Sequence, residues 1–279
     1  MTVAVSCNLS DGVILGVDSA VTIADSKAIY KVYENAEKLF QLGEKSIGIA
    51  TFGLGGIGGR SIGSYVREFE ILNPNNVIKD QNSSMEKVVE ELRAFFQQQY
   101  QKTVIPAVEN ETKRKFEEIP DDNKPVLGLV VGGFSGGSYL SEVWQILVPF
   151  NKNPNSATHV RKEGDFGANW FSLYIPICRY MKGFDPALLE EIVTYFSKTL
   201  LGGVPLTDAE RSEILKIMIK YEYQVPYGAM PIEEGIAHVK FLVEMVINHH
   251  RFSIGAPIVG GKARVGLVTY KGKEFKILN

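Results

Sequence analysis

Residues 2–22 read TVAVSCNLSDGVILGVDSAVT, and the fold turns on how that stretch divides. Small or apolar residues alternate with others at a period of two on both sides of Ser10-Asp11-Gly12, a turn signal, so the stretch predicts a β-hairpin. A threonine, Thr2, then stands directly behind the initiator methionine at the head of the first strand.

Outward from there, KLFQLGEKSIGIATFG (38–53) repeats the arrangement about Gly43-Glu44-Lys45, and the two hairpins together predict a four-stranded antiparallel unit. Glycine dominates FGLGGIGGR (52–60), after which Ile62, Tyr65, Val66 and Phe69 fall at helical spacing. A second helix is predicted from about Ser83, where Ser83 and Glu86 have the spacing of a capping box. The charge-rich ENETKRKFEEIPDDNK (109–124) has little to bury and predicts a solvated helix end and loop. Strands return with PVLGLVVGGF (125–134) and SYLSEVWQILVPF (138–150), separated by Ser-Gly-Gly.

From Phe171 to about His250 the pattern is helical. It covers WFSLYIPICRYM (170–181), a segment opened by Asp185 with Pro186 at the first helical position, another opened by a Thr207–Glu210 capping box, and PIEEGIAHVKFLVEMVINHHRF (231–252). GKARVGLVTYKGKEFKIL (261–278) closes the chain as two strands about Lys-Gly-Lys. Antiparallel hairpins with helices in two separate blocks imply an α+β layered sandwich and argue against an alternating βαβ fold.

Composition limits the function. The 279 residues suffice for one sizeable core, so a single domain over 1–279 with insertions is expected. A net charge of -2 lacks the basic excess that phosphate-backbone binding requires, so no nucleic-acid partner is expected. Cys7 and Cys178 lie far apart in apolar stretches and read as small buried hydrophobes. The four histidines lack ligand spacing, so neither a metal nor a cofactor is implied. No stretch reaches the ~18 apolar residues of a membrane span, and the opening has no basic region leading into an apolar run. No membrane association and a cytoplasmic location are therefore expected.

The hairpin order and its residues resemble the proteasome β subunits and the bacterial HslV peptidase, which are N-terminal-nucleophile (Ntn) hydrolases. Counted from Thr2 without a gap, the acidic residue that the family carries at the end of its second strand falls on Asp18 in GVILGVDSAVT. The family's lysine before a Leu-Phe pair falls on Lys38 in EKLFQL. VLGLVVGGF resembles the mid-chain strand ending in paired glycines, and VGGKARVGLVTYKG resembles the closing hairpin. The resemblance implies a four-layer αββα sandwich, a threonine peptidase or amidohydrolase, a peptide or protein substrate and a homo-oligomeric ring. An ATPase unfoldase is a partner it leaves open. Relative to compact members of the family, the helical segment at about 185–230 is an insertion.

The chain departs from the family at three places. IATFG has Thr51 where the family has a glycine whose amide serves an oxyanion hole, so Thr51 and Gly53 are the cleft candidates for that role. EGDFGANW, with Asp165 and Phe166, lacks the family's serine in a glycine-rich turn. The late Asp and Ser are replaced by Ala256 and Val259, which leaves Ser253 to supply a hydroxyl if its loop bends inward.

By the same resemblance Thr2, Asp18 and Lys38 are the catalytic residues. A threonine hydroxyl needs an adjacent base, and a free terminal amine, whose ordinary pKa is about 7.7 to 8, can accept its proton. Removal of Met1 is thus a requirement of the mechanism. Lys38 would lower the pKa of amine and hydroxyl by its charge, and Asp18 would hold the ammonium. The glycine-rich GLGGIGG (53–59) lacks the lysine and hydroxyl residue of a phosphate loop and is expected as a turn near the cleft. His249 and His250 point to different sides of a helix, which predicts helix-end polar contacts. Two other readings stand beside the peptidase: a non-catalytic structural subunit, and an Ntn amidase for a small molecule.

Overall fold

Strand pairing in the computed structural model starts one residue after Thr2. The structure describes residues 2–24, 29–43, 46–72, 82–149, 157–199, 204–254, 258–270 and 276–278. β1 (Val3–Leu9) and β2 (Gly12–Val17) form the expected hairpin, with Ala4 opposite Val17 and Leu9 opposite Gly12. β3 (Val21–Ala24) and β4 (Ile29–Tyr33) make a separate two-stranded ribbon. β5 (Leu39–Gln41) and β6 (Ile47–Gly53) form the second hairpin. The glycine-rich segment gives a two-residue ladder, β7 (Gly56–Ile57) with β8 (Arg60–Ser61), turned by Gly58 and Gly59 at φ 55° and 80°.

The two hairpins do not join into one four-stranded unit. The first five-stranded sheet has the order β12-β1-β2-β13-β14 and the second β11-β10-β9-β6-β5. The later strands are β9 (Leu127–Phe134), β10 (Ser141–Val148), β11 (Thr158–Arg161), β12 (Gly167–Ser172), β13 (Arg264–Thr269) and β14 (Lys276–Leu278). Every residue of β1 and β2 is buried, so both edges and both faces of the opening hairpin are covered, and each hairpin takes its neighbours from distant chain. The Lys-Gly-Lys turn and Ala256 lie outside the described residues.

One cluster, with Ala4, Val13, Leu15 and Val17 of the first sheet against Leu39, Ala50, Phe52 and Val130 of the second, joins the sheets face to face. Burying each such Val or Leu is worth about 1.5–3 kcal/mol. Gly128 is needed there, because a Cβ would run into the Phe52 ring. The other face of the second sheet is covered by α1 (Ile62–Leu72) and α2 (Met85–Thr112), through Tyr65, Phe69, Leu92, Phe96 and Tyr100. α2 is capped by Ser84, whose hydroxyl accepts the Lys87 amide at 3.3 Å, so the cap falls one residue after the predicted Ser83.

Gly167–Ser172 pairs with β1 and is strand, where the sequence predicts helix from Phe171. Trp170 and Phe171 favour a pleated surface, and helix α3 (Ile175–Lys182) begins only with Pro176 in its first turn. α4 (Pro186–Thr199) and α5 (Asp208–Ile219) follow, the latter with the predicted Thr207–Glu210 capping box. α6 (Ile232–Phe252) packs on β1, β2 and β13, and Gly16 admits it, because a Cβ there would strike Val239.

The chain is α+β, and it separates into two compact units: Met1–Leu173 with Tyr227–Asn279, and Tyr174–Pro226. The second unit takes the place of the expected insertion at 185–230 and also includes α3. Among the described residues no helix is long and apolar enough to cross a membrane.

Candidate active site

The antiparallel register of β1 and β2 places Asp18, one residue beyond β2, opposite Val3. The Asp18 amide donates to the Val3 carbonyl at 3.4 Å, and the Val3 amide returns a bond to Asp18 Oδ1 at 3.2 Å. Lys38 directly precedes β5, and its carbonyl accepts the Thr51 amide of β6 at 2.9 Å. Sheet facing sheet then brings three distant residues into a row. Lys38 Nζ donates to Thr2 Oγ1 at 2.8 Å and to Asp18 Oδ1 at 2.9 Å. Thr2 is 3% exposed, Asp18 0% and Lys38 6%, so the row is largely shielded from solvent.

Burial pushes the Asp18 carboxyl above its ordinary value, against the opposing pull of Lys38 and of the Gly260 and Ala20 amides. Burial likewise pushes the Lys38 ammonium down, opposed by Asp18. Lys38 therefore holds its proton less tightly than a surface lysine, next to the Thr2 hydroxyl.

Two supports of this row have no counterpart in the sequence reading. Asp18 Oδ2 accepts amides from Ala20 at 3.2 Å and Gly260 at 3.3 Å, which fixes the carboxylate on its second side. The Gly260 loop is tied down in turn: Lys262 donates its amide to Ser19 Oγ at 2.8 Å, and Ser19 Oγ donates to the Glu34 carbonyl. Gly261, at φ 71°, lies so close to Ser19 Oγ and the Glu34 carbonyl that a Cβ would collide with both. The second support is Ser172, left-handed at φ 65°, which turns the chain so that the Leu173 amide donates to the Thr2 carbonyl at 3.3 Å. A non-glycine residue in that conformation costs ~1–2 kcal/mol, a strain placed beside Thr2. The paired Gly260-Gly261 is the available signal for the first support; nothing in the sequence marks Ser172.

Thr2 and Lys38 open onto a cavity of about 460 Å³. Its inner wall is small or apolar, with Ala20, Phe40, Thr51, Phe52 and Ile62, and Glu34 and Glu37 stand on the rim. Gly53, Gly55 and Gly63 also line it, which puts the glycine-rich segment beside the cleft as expected.

The Thr51 amide is engaged by the Lys38 carbonyl and is not free to receive an oxyanion, contrary to the expectation drawn from the resemblance. Alternation along β6 turns the Gly53 amide to the same edge, beyond the point where β5 has begun its ladder and toward the cleft. Gly53 is at φ 80° and its Cα lies against the Val126 carbonyl, so glycine is required there. Ser253 does not join the site. It follows α6, its hydroxyl donates to the His249 carbonyl at 2.7 Å, and it is absent from the cleft lining, because α6 ends with that serine bound to its own last turn.

Cys7 and Cys178 are buried free thiols, and burial pushes Cys7 up to about 12. No three His, Cys, Asp or Glu side chains cluster as metal ligands among the described residues. No protein-family model matches the chain, and no curated protein matches it.

Proposed function

We propose that the protein is a threonine-type Ntn hydrolase that cleaves peptide bonds through an acyl ester on Thr2 after removal of Met1. The observation that carries the reading is the single ammonium, Lys38 Nζ, bonded at once to Thr2 Oγ1 and Asp18 Oδ1 at the floor of an open cleft. Surface lysines do not bury themselves against a threonine hydroxyl, whereas a nucleophile that must carry developing negative charge gains from such a donor.

In the proposed cycle the freed Thr2 amine takes the Oγ proton as Oγ bonds to the substrate carbonyl carbon. Lys38 supplies positive charge to the forming alkoxide, and Asp18 keeps that charge in place. The Gly53 amide is the candidate donor to the carbonyl oxygen. Collapse of the tetrahedral species expels the amine leaving group, which takes the proton from the Thr2 amine. Water then hydrolyses the ester and restores Thr2.

A four-layer αββα sandwich belongs to this reading, supported by α6 on the first sheet, the two sheets face to face, and α1 and α2 on the second. So do a cytoplasmic location and assembly into a homo-oligomeric ring. The test is the intact mass of the purified protein with and without a peptide epoxyketone, whose two electrophilic carbons require both a free α-amine and the threonine hydroxyl. Loss of Met1 with a stoichiometric adduct, absent in Thr2→Ala, is expected; retained Met1 and no adduct would sink the reading and favour a non-catalytic subunit.

A further inference from the structure

The unit formed by residues 174–226 has almost no core of its own in its last two helices. α4 buries one side chain, Val193, and α5 buries none. Eleven of the twenty large hydrophobic residues exposed among the described residues belong to this unit, including Leu188, Ile192, Tyr195, Phe196, Leu215 and Ile219. Helices of 14 and 12 residues are marginal in water without a packed apolar face. Polar contacts tie this pair of helices and their connection together: Arg211 to Glu190 at 3.4 Å and the Leu206 amide to Ser197 Oγ at 3.4 Å.

At 100° per residue, Leu188, Ile192, Tyr195 and Phe196 fall within an arc of about 100°, the width of a face made to be covered. Aromatic side chains present ~150–250 Å² each, so the eleven residues at about half exposure leave roughly 1,000 Å² of apolar surface on this unit. That total is spread over α3, α4, α5 and their connections; the four residues of the α4 stripe contribute roughly 400 Å² of it, and α4 is where the apolar side chains share one face.

We propose that this face is a self-association surface, covered by α4 of a second copy of the chain in an antiparallel, two-fold arrangement. Charge selects this occupant. The unit carries six basic and seven acidic residues, so no net field favours a strongly charged partner or an anionic membrane. Glu191 and Lys198 lie on the same flank of the apolar stripe, both exposed and neither in an ion pair among the described residues. The midpoint between them falls within the stripe, between Ile192 and Phe196. Antiparallel apposition therefore sets Glu191 of each copy opposite Lys198 of the other, twice by symmetry. A parallel arrangement would carry the two copies' charges to opposite flanks and leave all four unpaired.

Native mass spectrometry of the full chain tests the surface, with Thr2 acylation measured in the same samples so that the two proposals stand or fall separately. Glu191→Lys is expected to halve the mass of the assembly, as is Ile192→Asp, and Glu191→Lys combined with Lys198→Glu is expected to restore it. A monomeric wild type, an unchanged mass in both single variants, or failure of the paired exchange to restore the mass would each overturn the proposal. Far-UV circular dichroism of the exposed charge variants separates loss of pairing from loss of fold.

Discussion

Replacing Lys38 by methionine removes the cation that faces Asp18 while filling nearly the same space. At 2.9 Å and an effective dielectric constant of about 20, the Coulomb attraction between the two charges is ~6 kcal/mol. The Val3, Ala20 and Gly260 amides stay on the carboxylate and soften its loss, so Lys38→Met should destabilise the fold by about 3–5 kcal/mol, the usual cost of leaving half a buried pair. At roughly 2–4 °C per kcal/mol this lowers the melting temperature by about 6–20 °C. The double change Asp18→Asn with Lys38→Met removes both charges and should recover most of that loss, because desolvation opposes the pair in the wild type.

The sign with pH provides an independent check. In Lys38→Met the Asp18 pKa rises further above its unfolded value of about 3.9, so the folded state holds a proton that the unfolded state has released. Stability of the variant then falls as pH rises through the elevated folded pKa, and its deficit against wild type is smallest near pH 4 and largest at neutrality. Thermal and urea unfolding from pH 4 to 8 measure this directly. A Lys38→Met protein as stable as wild type at pH 7, or a double variant no better than the single, would refute the account of a buried, mutually dependent pair.

Three further outcomes follow from particular contacts. Gly53→Ala forces a Cβ against the Val126 carbonyl at φ 80°, and should lower the melting temperature by several degrees and slow Thr2 acylation by at least tenfold, as read by intact mass against time. Cys7, pushed up to about 12 by burial, should resist alkylation at pH 8 in the folded protein and react once urea unfolds it, which mass spectrometry counts. The rate of Thr2 acylation should rise with pH as the freed amine deprotonates, with an apparent pKa below the ~7.7–8 of an unperturbed terminal amine because Lys38 stands beside it; a flat profile from pH 6 to 9 would remove the amine from its role as base.

Legibility differs from residue to residue for identifiable reasons. Asp18 and Lys38 are singled out by the family resemblance, and short-range structure explains why the match could be made: one follows a strand whose register is set by a tight turn, the other precedes a strand paired with the one that comes next in the chain. Thr51 lines the cleft, but whether its amide is free depends on its neighbour in the sheet, and that neighbour is the Lys38 carbonyl. Ser253 depends on the path of a loop, which the end of α6 settles by binding the serine hydroxyl to His249. β12 reads as helix because Trp170 and Phe171 are apolar at either period, and only pairing with β1 distinguishes the two.

The sequence by itself determined the hairpins and the helix that opens at Thr207, because turns, caps and alternation act over a few residues, while the three polar residues at the strand ends are read through the family resemblance. Only the tertiary structure decided that the two hairpins divide between two sheets, that Lys38 meets Thr2 across them, and that a glycine amide 242 residues from Asp18 completes its shell. Those meetings depend on which apolar faces bury one another, a choice made by the whole chain at once and carried by no local pattern.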